Sequence, residues 1–196
     1  MDTAELEQRG IKNLYDGAGW IRTSNGKFSL EKPTFDIVDI AHALSNNCRF
    51  NGHTSQFISV AEHCVNVSRI MRIIGGDPRA GLLHDATEAY LSDVPAPFKQ
   101  FLPDWREVDD RLEYHLMDRY DVDIKTKEVK TADWYDLFIE ALYLIPGEGC
   151  DFMDDGNKRE RALSLQSMHS EIRPKCLPPG EAKQEFLTVA KMYGLA

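Results

Sequence analysis

Apolar positions recur at helical spacing along most of the chain after residue 36. Ile37, Val38, Ile40, Ala41 and Leu44 keep a period of about 3.6 residues and stop at Asn46-Asn47. A broader stripe follows, with Val60, Ala61, Cys64, Val65, Val67, Ile70, Met71 and Ile74, and Gly75-Gly76 closes it. Asp77-Pro78 offers an N-cap and a first-turn proline for a third helix, which the pattern carries through Leu91. Ser92-Asp93-Val94-Pro95-Ala96-Pro97 breaks it. Asp104 and Glu107 have the spacing of a capping box for a helix carrying Trp105, Val108, Leu112 and Leu116. Another helix is predicted from about Lys127 to Leu144, stopped by Pro146-Gly147. Two more fall around residues 158–170 and 180–193, separated by Pro174, Pro178 and Pro179.

Strand-like alternation appears in one place. Trp20-Ile21-Arg22-Thr23 and Lys27-Phe28-Ser29-Leu30 flank Ser24-Asn25-Gly26, a hairpin signal. The stretch before residue 18 is polar with weak helical periodicity. No helix–strand alternation occurs, which argues against a doubly wound sheet. The expected fold is an all-α helical bundle, one domain over residues 1–196, with a small β-hairpin near residues 20–30.

The 196 residues suffice for one domain with a hydrophobic core. A formal net charge of -9 leaves no overall footprint for gripping a nucleic-acid backbone. It does not exclude small phosphorylated substrates held in a local pocket. No apolar run approaches the roughly 20 residues that span a bilayer. The acidic N-terminus lacks the layout of a secretory signal, so a cytoplasmic protein without a membrane partner is expected. Cys48, Cys64, Cys150 and Cys176 form no C-x-x-C pair, which argues against a zinc knot or a disulfide framework.

Candidate chemistry sits where polar residues interrupt apolar stripes. In Gly81-Leu82-Leu83-His84-Asp85-Ala86-Thr87-Glu88, His84 and Asp85 open a polar cluster on an apolar helix. Glu88, four residues after His84, shares its face. Taken alone, a core histidine or a capping aspartate explains the pair. His63, in Ala61-Glu62-His63, lies on the stripe between Val60 and Val67, where a packed histidine is the plainer reading. Asp133 falls amid the stripe Val129, Ala132, Leu137, Ala141 and Leu144, where an unpartnered carboxylate is costly. Together, two imidazoles and two carboxylates from three helices are the ingredients of a metal site in a helical bundle.

With these residues in place, the sequence resembles the HD-domain phosphohydrolase superfamily. Its signature is a histidine, a His-Asp pair and a later aspartate binding a divalent metal in an all-helical core. The resemblance runs from about Arg49 to Asp133. It is greatest to compact nucleotidases related to bacterial 5′-deoxynucleotidase and to phage dATP triphosphohydrolases. It implies His63, His84, Asp85 and Asp133 as ligands and Glu88 as the residue that helps to activate water. The family run Gly-Asp-(Leu/Val)-Pro-x-Pro-x-Lys is matched by Ser92-Asp93-Val94-Pro95-Ala96-Pro97-Phe98-Lys99, with Ser for Gly. It places Asp93 beside the leaving oxygen and Lys99 on a phosphate. Arg49-Phe50 matches an arginine that contacts phosphate and an aromatic near the base or sugar, usually tryptophan. His53 also has a spacing to His84 that suits a ligand. The Glu-His context and helical placement favour His63, leaving His53 as a candidate phosphate contact.

The resemblance implies hydrolysis of a 2′-deoxynucleotide at the α-phosphate by a phage or bacterial homo-oligomer, with triphosphate release placed ahead of 5′-monophosphatase activity. The nitrogen and oxygen donors suit Mn, Co, Zn, Fe or Ni, with Mg also to be considered. A second ion near Glu88 and Asp93 is an alternative arrangement. Lesser readings are a cyclic-nucleotide or alarmone hydrolase and a catalytically inactive nucleotide-binding module.

Overall fold

The computed structural model describes residues 19–146 and 155–196. The polar stretch before residue 18, Cys150 and Gly147 lie outside the described residues. The fold is mostly helical with one small antiparallel sheet, as the periodicity predicts.

Strands β1 (Trp20–Arg22) and β2 (Lys27–Ser29) pair with Trp20 opposite Ser29 and Arg22 opposite Lys27. Four residues connect them, and the Thr23 N–H donates to the Gly26 carbonyl at 3.1 Å. The hydroxyls of Thr23 and Ser24 both donate to the Asp39 carboxylate. These bonds tie the hairpin to α1 (Ile37–Asn46), whose first turn is capped by Asp36. Phe28 is buried and stacks on Tyr90, with ring centroids 3.7 Å apart.

Helix α2 (Val60–Ile74) forms the centre of the core. The Ser59 hydroxyl accepts the Glu62 N–H at its start, and left-handed Gly75 ends it at φ 84°. Eleven of its residues are buried, polar Glu62, His63, Asn66 and Ser68 among them, and exposure is confined to the last turn at Arg72. Helices α3 (Pro78–Leu83), α7 (Lys127–Leu144) and α9 (Pro179–Met192) pack against it. Gly81 lets α3 approach closely, because a Cβ there would stand 2.9 Å from the Ser68 Cα. Helix α8 (Gly156–Met168) packs on α7, and α9 also covers α1.

Two boundaries differ from the pattern. The third helix does not run through to Leu91. It ends at Leu83 and resumes as α4 (Glu88–Leu91). Between them the backbone tightens, with Ala86 N–H bonded to Leu83 O and Glu88 N–H to Asp85 O, both at 3.0 Å. A periodicity reading registers only the side chains, which keep their spacing through such a turn. Secondly, the Asp104–Glu107 box does not start α6 (Pro103–Tyr120). The N-cap is Leu102 and makes no side-chain cap, because Pro103 with its fixed φ takes the first helical position. The Ser92–Pro97 break itself leads into a single turn, α5 (Ala96–Lys99). Among the described residues no helix is long and apolar enough to cross a membrane.

Candidate metal centre

Two helices, α2 and α7, and the turn after α3 bring the candidate ligands together. His63, one turn into α2, is fully buried. Its Nε2 lies 3.1 Å from Asp133 Oδ1 and 3.8 Å from Asp85 Oδ2. His84 Nε2 lies 3.2 Å from the same Asp85 oxygen and 3.8 Å from the same Asp133 oxygen. Nitrogen and oxygen therefore alternate around one point. Asp133 reaches both imidazole nitrogens but does not complete one tight four-atom group with Asp85. The ligand atoms of His63, His84 and Asp85 all lie within 4.8 Å of one another, so the group can hold a metal ion.

Local structure sets the orientation of each ring. The His84 Nδ1 sits 2.9 Å from the Gly81 carbonyl oxygen, which can only accept, so that nitrogen carries the hydrogen. In the neutral ring Nε2 is then the lone pair, aimed into the cluster. It is buried and makes no hydrogen bond. An orphaned nitrogen facing two carboxylates is what a cation ligand looks like before the cation arrives, and the donor set fits one.

Electrostatics point the same way. Burial opposes charging His63, as does Arg49, yet Glu140 and hydrogen bonds to Asp133 and Asp136 push its pKa well above the ordinary value. For His84, burial is likewise outweighed by Asp85 and Asp133. Against their own burial, the two imidazoles hold Asp133 well below the usual carboxylate range and Asp85 at about 2. The centre is a sink for positive charge, met by protons when no metal is bound.

Glu88 is buried at the start of α4. Burial first, then Asp85 and Asp93, raise its pKa well above normal. Its Oε2 has no hydrogen-bond partner, while Oε1 faces Lys99 Nζ at 3.7 Å. Asp93 is half-buried and also raised, mainly by burial. The turn between them passes through Ser92, at φ 64° and ψ 161°. Glu88 and Asp93 do not join a further ligand group among the described residues. Arg49 is buried, with Nη1 3.9 Å from Asp85 Oδ2. It opens a short 3-10 turn in which Phe50 and Asn51 both have positive φ. Phe50 lies beside the guanidinium, 5.6 Å from ring centroid to Cζ. His53 ends that turn exposed to solvent and joins neither the His63–His84–Asp85 group nor the second group that could hold an ion, His63–Asp136–Glu140.

Asp133 is less buried than its place in the stripe suggests: its side chain is 42% accessible, at the rim of the cluster. The buried acids of α7 are Asp136 and Glu140, which the hydrophobic pattern passes over. Asp136 Oδ2 lies 2.8 Å from His63 Nδ1, and Glu140 Oε1 lies 3.3 Å from the same nitrogen. Burial and Glu140 push Asp136 up to about 7. The Asp133, Asp136, Glu140 spacing of i, i+3, i+7 is a readable signal, because it puts three acids on one helix face.

No family model matches the chain. It is 38% identical over 123 residues to "Uncharacterized protein YfdR" of Escherichia coli (strain K12), covering 58% of this chain and 66% of that protein. It is 39% identical over 105 residues to "Uncharacterized protein RCAP_rcc00048" of Rhodobacter capsulatus, covering 47% of this chain and 54% of that protein. The chain thus aligns with just under two thirds of one relative's length and about half of the other's.

Proposed function

We propose that this chain is a metal-dependent phosphohydrolase acting on 2′-deoxynucleotides at the α-phosphate, with dATP-like triphosphates as first substrates and 5′-monophosphates as the alternative. The observation that carries the reading is His84 Nε2, buried and without a hydrogen bond, facing the Asp85 and Asp133 oxygens beside His63 Nε2.

His63, His84, Asp85 and Asp133 would hold a divalent ion, and their mixed donors suit Mn, Co, Zn, Fe or Ni. Such an ion, when bound, supplies Lewis acidity toward a phosphate oxygen and a water of lowered pKa. The remaining work falls to the chain's own groups. Arg49 Nη1 and Lys99 Nζ take the negative charge that grows on phosphate oxygens as water adds to phosphorus. Glu88, with a free buried oxygen and a raised pKa, takes the proton from that water. Asp93, also raised, delivers a proton to the ester oxygen as its bond to phosphorus breaks. The products are a deoxynucleoside and triphosphate, or orthophosphate from a monophosphate.

The test is incubation of the purified chain with dATP or dAMP in the presence of Mn, Co, Zn or Mg, with products resolved by chromatography. Deoxyadenosine with triphosphate, or with orthophosphate, is expected from the wild type and lost in His84→Ala and Asp85→Ala. Full activity in either folded variant would overturn the proposal.

A further inference from the structure

Helix α7 presents Asp133, Asp136 and Glu140 along one stripe; Asp133 faces the Nε2 side of His63, and Asp136 and Glu140 group with His63 on its Nδ1 side. The latter two are fully buried and meet the back of the site. Burying two carboxylates side by side is costly, and apolar residues of similar volume would pack a core at least as well. Packing therefore gives no reason for acids at these positions.

Their contacts give one. The His63 ring spans the helix stripe, with Nε2 toward Asp133 and Nδ1 2.8 Å from Asp136 Oδ2. An acceptor at Nδ1 fixes the hydrogen there and leaves Nε2 as the lone pair on the cluster side. Glu140 also approaches Nδ1, its Oε1 at 3.3 Å, but commits its other oxygen to a different neighbour. Its Oε2 accepts from both Nε and Nη2 of Arg49, at 3.1 Å and 3.0 Å. With that edge of the guanidinium occupied, Nη1 is the nitrogen turned toward Asp85.

We propose that Asp136 and Glu140 are positioning residues with separable tasks. Asp136 holds His63 in the tautomer that offers Nε2 to a cation, and Glu140 holds Arg49 with Nη1 presented to the substrate phosphate. The proposal rests on the phosphohydrolase reading for the second task, while the first stands on metal binding alone.

The experiment compares wild type with Asp136→Ala, Asp136→Asn, Glu140→Ala and Glu140→Gln, each checked for folding by thermal melt. Zinc affinity is measured by calorimetry on metal-stripped protein, and the His63 tautomer by nitrogen-15 NMR of the zinc-loaded protein and of the stripped protein at alkaline pH. KM, kcat and the Kd for inorganic phosphate are read with manganese. Asp136→Ala is expected to weaken zinc about 10–100-fold and to lose the single Nδ1–H tautomer. Asp136→Asn keeps an acceptor oxygen and is expected to restore both. Glu140→Ala is expected to keep zinc affinity and raise KM and the phosphate Kd about tenfold, as loss of an aligned charged hydrogen bond does. Glu140→Gln, whose amide oxygen still accepts from Arg49, recovers most of that.

Unchanged zinc affinity and tautomer in Asp136→Ala overturn the first task. Parallel losses of metal and phosphate binding in both alanine variants overturn the separation. A wild type that binds zinc but turns over no nucleotide ends the phosphohydrolase reading, and the zinc and tautomer measurements still decide Asp136.

Discussion

His84 Nδ1 lies 2.9 Å from the carbonyl oxygen of Gly81, three residues back on the same turn. That bond aims the opposite ring nitrogen at Asp85 and Asp133, so the placement of α3 sets the metal centre. Gly81 is also where α3 presses on α2. A methyl group there would meet the Ser68 backbone at 2.9 Å and Met71 Cγ at 2.8 Å. Gly81→Ala is expected to cost about 1–3 kcal/mol by overpacking. It should also weaken metal binding, because the carbonyl that holds His84 moves with the helix. Urea unfolding with and without zinc measures both, and an unchanged midpoint would refute the close-approach argument.

Ser92 occupies φ 64° and ψ 161°, a region that essentially only glycine adopts without strain. Ser92→Gly is expected to stabilise the fold by about 1 kcal/mol and to leave metal affinity unchanged. A thermal melt checks the sign, and a lower melting temperature would contradict the strain reading.

Glu88→Gln is expected to lower kcat by about 10²–10⁴-fold, the usual worth of a positioned proton acceptor. Zinc affinity should hold, since Glu88 belongs to neither ligand group. Loss of zinc binding in step with activity would move Glu88 from proton transfer to ligation.

Metal and protons compete for the centre, which fixes the direction of a pH effect. The folded-state pKa values of His63 and His84 stand well above normal. The protonated rings therefore stabilise the metal-free fold fully below their unfolded pKa of about 6.5. That contribution fades as pH rises through the raised folded values. Metal requires neutral imidazoles, so the gain in melting temperature on adding zinc is expected to grow as pH is raised above about 6.5. Melting curves with zinc and with a chelator, taken across this range, test it; a gain that shrinks toward alkaline pH would contradict the assignment.

Glu62 ties the segment before α9 to the core. Its buried carboxylate accepts the N–H groups of Lys175, Cys176 and Leu177, the last two at 3.1 Å and 2.9 Å. Cys176 takes φ 57° to permit this. Glu62→Ala strands three donors and is expected to cost about 3 kcal/mol. Chemical denaturation measures it, and a loss below about 1 kcal/mol would mean that water replaces the carboxylate.

The helices were legible because burial imposes its period on sequence: α1, α2, α7 and α9 begin and end close to where their apolar residues and caps place them. The hairpin was legible from Asn25-Gly26, although Thr23 joins Ser24-Asn25-Gly26 in turning the chain. His63, His84, Asp85 and Asp133 stood out as polar residues on apolar faces, and the fold brings them together. Spacing carries no distance, however. That Asp133 sits at the rim while Asp136 and Glu140 lie buried behind His63 follows from how α7 is rotated against α2, which packing decides. The sequence by itself determined which residues must be helical and which are chemically anomalous, because both are local properties of a side-chain pattern. Only the tertiary structure decided which nitrogen of His63 faces the cluster, because that is set by an acceptor on another helix, Asp136 of α7.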